Sequence, residues 1–392
     1  MNILFLHKNF PAQFKHILNE LAKASGNKIF FITQNDTVQI SGVNKIVYKI
    51  HERTDYPPHI SPYAQAVLHA QAAANLAIQL KQSGFKPDVI YGHSWGQAMF
   101  MKDVFPDVPL ICYFEWFYNA EGGDIGFDGK ILNEIGRTKI RCKNANLLMD
   151  LTFCDVGITP TNWQKSQFPK EFHSKIKVIH DGIDTDICKP NENATFLGLT
   201  TKDEVITYAT RGMEPYRGFP QFMQAVERLM KKRPNLHVII AGEDRVFYGA
   251  QPQQGTYKEF VLDKLNFDMQ RLYFTGTLPF DEYLKLLQIS SVHVYLTYPF
   301  VLSWSILEAM ACGCCVAASN TPPVLEVIKD NYNGLLFDFY NINQMVEKLE
   351  YVLDNREEVK TLKGNACKTI LENYALKDLL PRHIDLVYKS IS

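Results

Sequence analysis

The chain has 392 residues, which at about 150 per domain gives two to three domains. Its 41 Lys and Arg nearly cancel its 42 Asp and Glu, leaving a formal charge of −1, and this argues against a nucleic-acid binder, which carries a basic surplus. The 46% hydrophobic fraction is too high for a disordered chain, and no run approaches the roughly 18 uncharged apolar residues of a transmembrane helix.

The opening MNILFL lacks the charged start and cleavage site of a signal peptide, so a cytoplasmic protein is expected. Short runs that are apolar on both faces predict strands at 2–6, 28–33, 88–91, 109–113, 155–159 and 175–179, the pattern of a parallel sheet covered by helices on two sides. Phe14, Ile17, Leu18 and Leu21 follow helical spacing, so 11–24 reads as a helix with Pro in its first turn. Residues 64–83 are Ala-rich and stop at Gly84, a second helix. Arg137, Lys139, Arg141 and Lys143 form the one dense basic cluster; it reads either as a solvated helix face or as a contact for phosphate or anionic lipid. The polar stretch 181–200 reads as an interdomain linker. Alternation then restarts, with strands at 205–209, 236–241, 272–275, 292–296, 314–318 and 334–337 and helices at 219–232, 257–265, 280–288, 305–312 and 321–328. The tail, 376–391, is helical and is expected to pack across the other domain. The eight cysteines show no CxxC pair and read as reduced thiols, with Cys312, Cys314 and Cys315 around a tight turn at Gly313 rather than on zinc.

Two successive βαβ halves imply an α/β protein of two doubly wound sheets, with ligands at the carboxyl ends of the strands and an interdomain cleft between them. Two segments fall at such ends. TYPFVLSWSILEAMACGCCVAAS (297–319) runs from a strand end into a helix starting near Ser303 or Ser305, a ready anion site. Glu308 lies one turn in, placed either to accept from a ribose diol or merely to complement the helix dipole. ATRGMEPYRGF (209–219) sets Arg211 and Arg217 about a Pro-containing turn; two guanidiniums there suit a diphosphate, with plain surface arginines as the alternative and Glu214 as a partner for either. In the first half, His93 follows a strand end, and the loop CYFEWFYNAEGGDIGFDGK offers Glu115, Glu121 and Asp124 among aromatics, a composition suited to sugars. No GxGxxG follows the first strand, which disfavours a dehydrogenase.

Taken in order, MNILFLHKNFP, HDGIDTD, RGMEPYRG, FTGTL and SILEAMACGCCVAAS resemble glycosyltransferase family 4, whose members are retaining, nucleotide-sugar-dependent enzymes of the GT-B architecture. The likeness covers nearly the whole chain and is most specific over 205–340. It implies two Rossmann-like domains facing each other across a cleft: 1–185 on the acceptor side, 186–375 on the donor side, and 376–392 as a helix crossing back.

By the same resemblance Arg211 and Arg217 contact the donor diphosphate, and His93 lies near the reacting sugar. Val301, Leu302, Ser303, Trp304 and Ser305 approach sugar and diphosphate, and Glu308 holds the ribose as the second glutamate of an E-x7-E motif. Gly276 lies in the base-contacting part, and Ala12, a donor-binding candidate small enough to let the backbone approach a phosphate, stands where many members have a Gly-Gly loop. From its composition, the loop of Glu115, Glu121 and Asp124 reads as an acceptor-binding loop, with a plain surface loop as the alternative. Phe300 replaces the first glutamate of E-x7-E and puts an aromatic wall beside the donor sugar.

The implied function is transfer of a sugar from a nucleoside diphosphate sugar to a hydroxyl of a glycan, lipid-linked or other acceptor. The pathway implied is polysaccharide or surface-glycan synthesis, at the inner face of a membrane if the basic cluster docks there. The resemblance implies no metal, and no DxD motif suits one. The donor is a co-substrate and there is no other cofactor. A non-catalytic sugar-nucleotide binder and another GT-B enzyme, such as a nucleotide-sugar epimerase, are the alternatives. The donor sugar, base, acceptor and oligomeric state are not legible.

Overall fold

A computed structural model describes residues 1–51, 53 and 55–391. The chain folds as two compact units, residues 1–181 with 377–392, and residues 182–376.

The first unit is built on a seven-stranded sheet: β1 (Asn2–Leu6), β2 (Lys28–Thr33), β3 (Val43–Val47), β4 (Val89–His93), β5 (Leu110–Tyr113), β6 (Val156–Thr159) and β7 (Ile176–Val178). All pairings are parallel and the order is β3-β2-β1-β4-β5-β6-β7. Its central strands are apolar on both faces because both are covered: Leu4, Leu6, Ile90 and Cys112 pack in one core layer, Ile3, Phe5, Tyr91 and Ile111 in the other. The second layer is completed by Leu386 and Val387 of the final helix, Leu376–Lys389.

The second unit has the hairpin β8 (Thr195–Phe196) and β9 (Leu199–Thr200), then β10 (Glu204–Gly212), β11 (Leu236–Glu243), β12 (Leu272–Gly276), β13 (Val292–Tyr295), β14 (Cys315–Ser319) and β15 (Leu335–Phe337). Its six-stranded parallel sheet runs β12-β11-β10-β13-β14-β15. Strand order reverses between β1 and β4 in one unit and between β10 and β13 in the other, the places where open α/β sheets bind ligands.

Three readings need correction. The stretch 182–200 is no open linker: Ile183, Cys188, Ala194, Phe196 and Leu199 are buried in the second unit's core. The first helix starts at Lys15, after a 3-10 turn at Ala12–Phe14, because Ala12 adopts φ +47°, outside the helical region. The helix expected at 321–328 is the single turn Pro322–Leu325. Gly313, at φ +80°, makes the sharp turn from the helix Trp304–Ala311 into β14. No helix among the described residues is long and apolar enough to cross a membrane.

Candidate active site

In the second unit the sheet edge at β10 and β13 gathers most of the donor-side residues. Arg211 is on β10, and Arg217 ends the 3-10 turn Pro215–Arg217. Gly218 follows at φ +67°, where a Cβ would sit 2.6 Å from Leu296 Cβ, so only glycine lets this turn close on the loop after β13. That closure lets Arg217 Nη1 donate to Thr297 Oγ1 at 2.7 Å and approach Val301 O at 3.4 Å. Tyr295 Oη accepts from Ser303 N at 2.9 Å and lies 3.4 Å from the same guanidinium nitrogen, which ties Arg217 to the start of the helix Trp304–Ala311. Ser303 caps that helix, accepting from Ser305 N at 3.3 Å. The Arg211 guanidinium makes no hydrogen bond to the described residues and lies 4.1 Å from the Phe247 ring.

Glu308 is mostly buried and accepts from Tyr283 Oη at 3.1 Å; burial raises its pKa, partly offset by that bond. A cavity of about 330 Å³ opens at the ends of β10, β11 and β12, lined in part by Gly242, Glu243, Asp244, Lys258, Phe274 and Gly276. Gly276, at φ +69°, leaves its Cβ direction open. The ring of Phe300 is 5% exposed and turns its edge to Tyr248 and Tyr216, centroids 5.1 and 6.0 Å away, so it is part of an aromatic cluster with Tyr298. Leu302 is buried and Trp304 exposed.

In the first unit, His93 ends β4 and His7 directly follows β1, with ring centroids 4.6 Å apart. Burial holds His7 down at about 4 and His93 well below the usual imidazole range, so both rings are neutral near pH 7. Neither His93 ring nitrogen has a hydrogen-bond partner among the described residues, and Nε2 stands 4.0 Å from Glu115 Oε2. Ala12 lies in the loop after β1, held in a left-handed conformation that glycine adopts more freely.

The other two candidate acceptor carboxylates have basic neighbours within the unit. Glu121 is paired with Arg137, and Asp124 is buried beside Lys143, whose ammonium sits 3.4 Å from the centre of the Tyr118 ring. Two members of the basic cluster are therefore engaged within the unit.

The sequence reading passed over His7, although it occupies the same strand-end position as His93. It also missed Phe247 and Tyr248, which lie in an irregular segment with no hydrophobic period, and Tyr216, on the short 3-10 turn Pro215–Arg217. The donor-side candidates other than Ala12 fall in the second unit; Ala12, His93, Glu115, Glu121 and Asp124 fall in the first.

Two family models match the chain: Glycosyl transferase family 4 group over residues 25–188, and Glycosyl transferases group 1 over residues 191–369. The chain belongs to the family 4 group of glycosyltransferases. An uncharacterised glycosyltransferase of Methanocaldococcus jannaschii is 30% identical over 107 residues, 27% of each chain. The D-inositol 3-phosphate glycosyltransferase of Mycolicibacterium smegmatis is 23% identical over 184 residues, 46% of this chain. The alignments span 27% and 40% of the lengths of these two relatives.

Among solved structures, sucrose-phosphate synthase from Thermosynechococcus elongatus superposes with a TM-score of 0.76 at 16% identity, covering 99% of this chain and 98% of that one. Anabaena HepE in complex with UDP-glucose gives 0.72 at 14% identity, covering 99% and 100%. These likenesses show a GT-B fold.

Proposed function

We propose that this chain transfers a sugar from a nucleoside diphosphate sugar to a hydroxyl of a glycan or lipid-linked acceptor, with retention of configuration and without a metal or other cofactor. The observation that carries this reading is the pair Arg211 and Arg217 at the β10/β13 switch point, with Arg217 bonded to the loop that leads into the capped helix at Ser303. Guanidiniums and helix amides there stabilise the negative charge that grows on a departing diphosphate. The leaving diphosphate takes the acceptor proton on the face it departs from, so no separate base is needed. Glu308 holds the ribose and the cavity at Gly276 receives the base. The HepE complex with UDP-glucose supports a nucleotide-sugar donor. The proposed setting is cytoplasmic surface-glycan synthesis, and the exposed Lys139 and Arg141 are the cations left for a peripheral anionic contact.

The test is a thermal-shift screen across UDP-, GDP-, ADP- and dTDP-sugars, followed by transfer assays with the donor found. A cognate donor at 100 times its Kd stabilises by about 2.7 kcal/mol. Stabilisation by none of them overturns the proposal; binding without transfer or donor conversion on a broad acceptor panel favours the non-catalytic binder.

A further inference from the structure

Glu214 is a buried carboxylate of the donor side to which the proposed chemistry gives no task. It is 1% exposed. Its Oε2 accepts from Phe247 N at 2.5 Å and from Tyr248 N at 2.9 Å, while Oε1 has no hydrogen-bond partner among the described residues. The two residues whose amides it holds are those whose rings meet the two guanidiniums: Phe247 lies 4.1 Å from Arg211 Cζ, and Tyr248 lies 5.7 Å from Arg217 Cζ. The loop is close to β10 as well, since a Cβ on Gly212 would fall 2.5 Å from Arg245 O.

We infer that Glu214 is a positioning residue of the donor site: it fixes the main chain at 247–248, and the two rings placed by that chain aim Arg211 and Arg217 at the diphosphate. This rests on reading the second unit as a diphosphate site. A buried negative charge beside two arginines and an anionic ligand is unfavourable for binding that ligand, and its value lies in reach and in one oxygen that can accept two amides. A glutamine offers the same oxygen at the same reach without the charge. An aspartate keeps the charge and falls one methylene short.

The two substitutions therefore separate holding from charge. The full-length chain is titrated with UDP, GDP and inorganic pyrophosphate by calorimetry, and hydrogen exchange is followed over residues 244–256. Glu214→Gln is expected to keep the Kd of the probes within about threefold and to leave exchange unchanged, while Glu214→Asp weakens binding at least about tenfold and speeds exchange at 247–248. In a Phe247→Leu/Tyr248→Leu background, Glu214→Asp weakens binding no further, a non-additivity that a general loss of stability does not produce. The opposite pattern, Asp like the native chain and Gln weak, makes Glu214 a counter-ion and overturns the inference, as does exchange unmoved by Asp. If the native chain binds none of the probes, the donor-site reading falls instead, and the exchange data still decide whether Glu214 holds the loop.

Discussion

Arg211 and Arg217 look equivalent in RGMEPYRG, yet their side chains are held differently. Arg217 donates to Thr297 Oγ1, so it serves the local structure as well as a ligand. Arg211 makes no hydrogen bond to the described residues; the Phe247 ring lies against it and the Glu214 carboxylate is a nearby charge. Replacing Arg211 with alanine is expected to leave the melting temperature unchanged while lowering kcat/KM by roughly 10- to 150-fold, the value of one charge-assisted hydrogen bond of ~1.5–3 kcal/mol in the transition state. Steady-state kinetics beside calorimetry check both halves.

Glu308 presents the reverse case. Burial raises its pKa, so the folded chain holds the proton more tightly than the unfolded one. The stability this contributes is complete below the unfolded carboxyl pKa and is lost as pH rises through the folded value. Near pH 7–8, Glu308→Gln is therefore expected to stabilise the ligand-free protein, an advantage that fades as the native glutamate protonates toward pH 4. The same change weakens nucleotide binding, because an ionised carboxylate accepts from a diol better than an amide does. Melting curves across pH, with and without UDP or GDP, report both effects.

At the scale of elements, the end of β11 shows how tightly the donor edge is built. Gly242 has φ +136°, and a Cβ there would lie 2.0 Å from Thr210 O on the neighbouring strand. Gly242→Ala must spread β10 from β11 where both border the cavity. It is expected to cost about 3 kcal/mol in denaturant unfolding and to abolish nucleotide-dependent stabilisation. Elements were legible in the sequence where burial is two-sided. Ile3, Leu4 and Phe5, or Val238, Ile239 and Ile240, form continuous apolar runs because helices cover both faces. β3 escaped notice because it is an edge strand carrying Asn44 and Lys45, with no residue fully buried. The helix Glu134–Lys143 was legible only as a solvated face for its basic cluster, because it buries nothing and so has no apolar period to set its ends. The positions of Arg211 and Arg217 around the end of β10, and of Glu308 in the helix after β13, were legible from the strand-to-helix pattern. That Phe300 packs into a cluster with Tyr216 and Tyr248 was not, since its partners come from two other loops and only tertiary contact brings them together.

For the whole molecule, the two units differ in how acid should act on them. Among the described residues the first buries five histidines, and burial depresses four of them: His7, His180 and His383 are each held down at about 4, and His93 lies well below its usual range. The second buries one such ring, His293, held at about 3. A histidine with a depressed folded pKa contributes stability that is complete above the unfolded value near 6.5 and is lost as pH falls toward the folded value. Between pH 7 and 4 the first unit thus loses the contribution of four such groups and the second of one. Asp150, buried in the first unit with its pKa raised by burial, acts in the opposite sense. His180 and His383 add a structural consequence. His383 is on the final helix and shares a hydrogen bond with the His180 carbonyl, so protonating either imidazole strains the seat of the segment that completes the first unit's core. Acidification from pH 7 to 4.5 is therefore expected to unfold the first unit ahead of the second. Hydrogen exchange should show β1 and the helix Leu376–Lys389 losing protection at a pH where β10 and β13 keep theirs. His383→Gln, which cannot gain a charge, should move the first unit's acid transition downward and leave that of the second in place. A single transition shared by both sheets, or a midpoint indifferent to His383, would show that buried imidazoles do not set the acid limit of this fold.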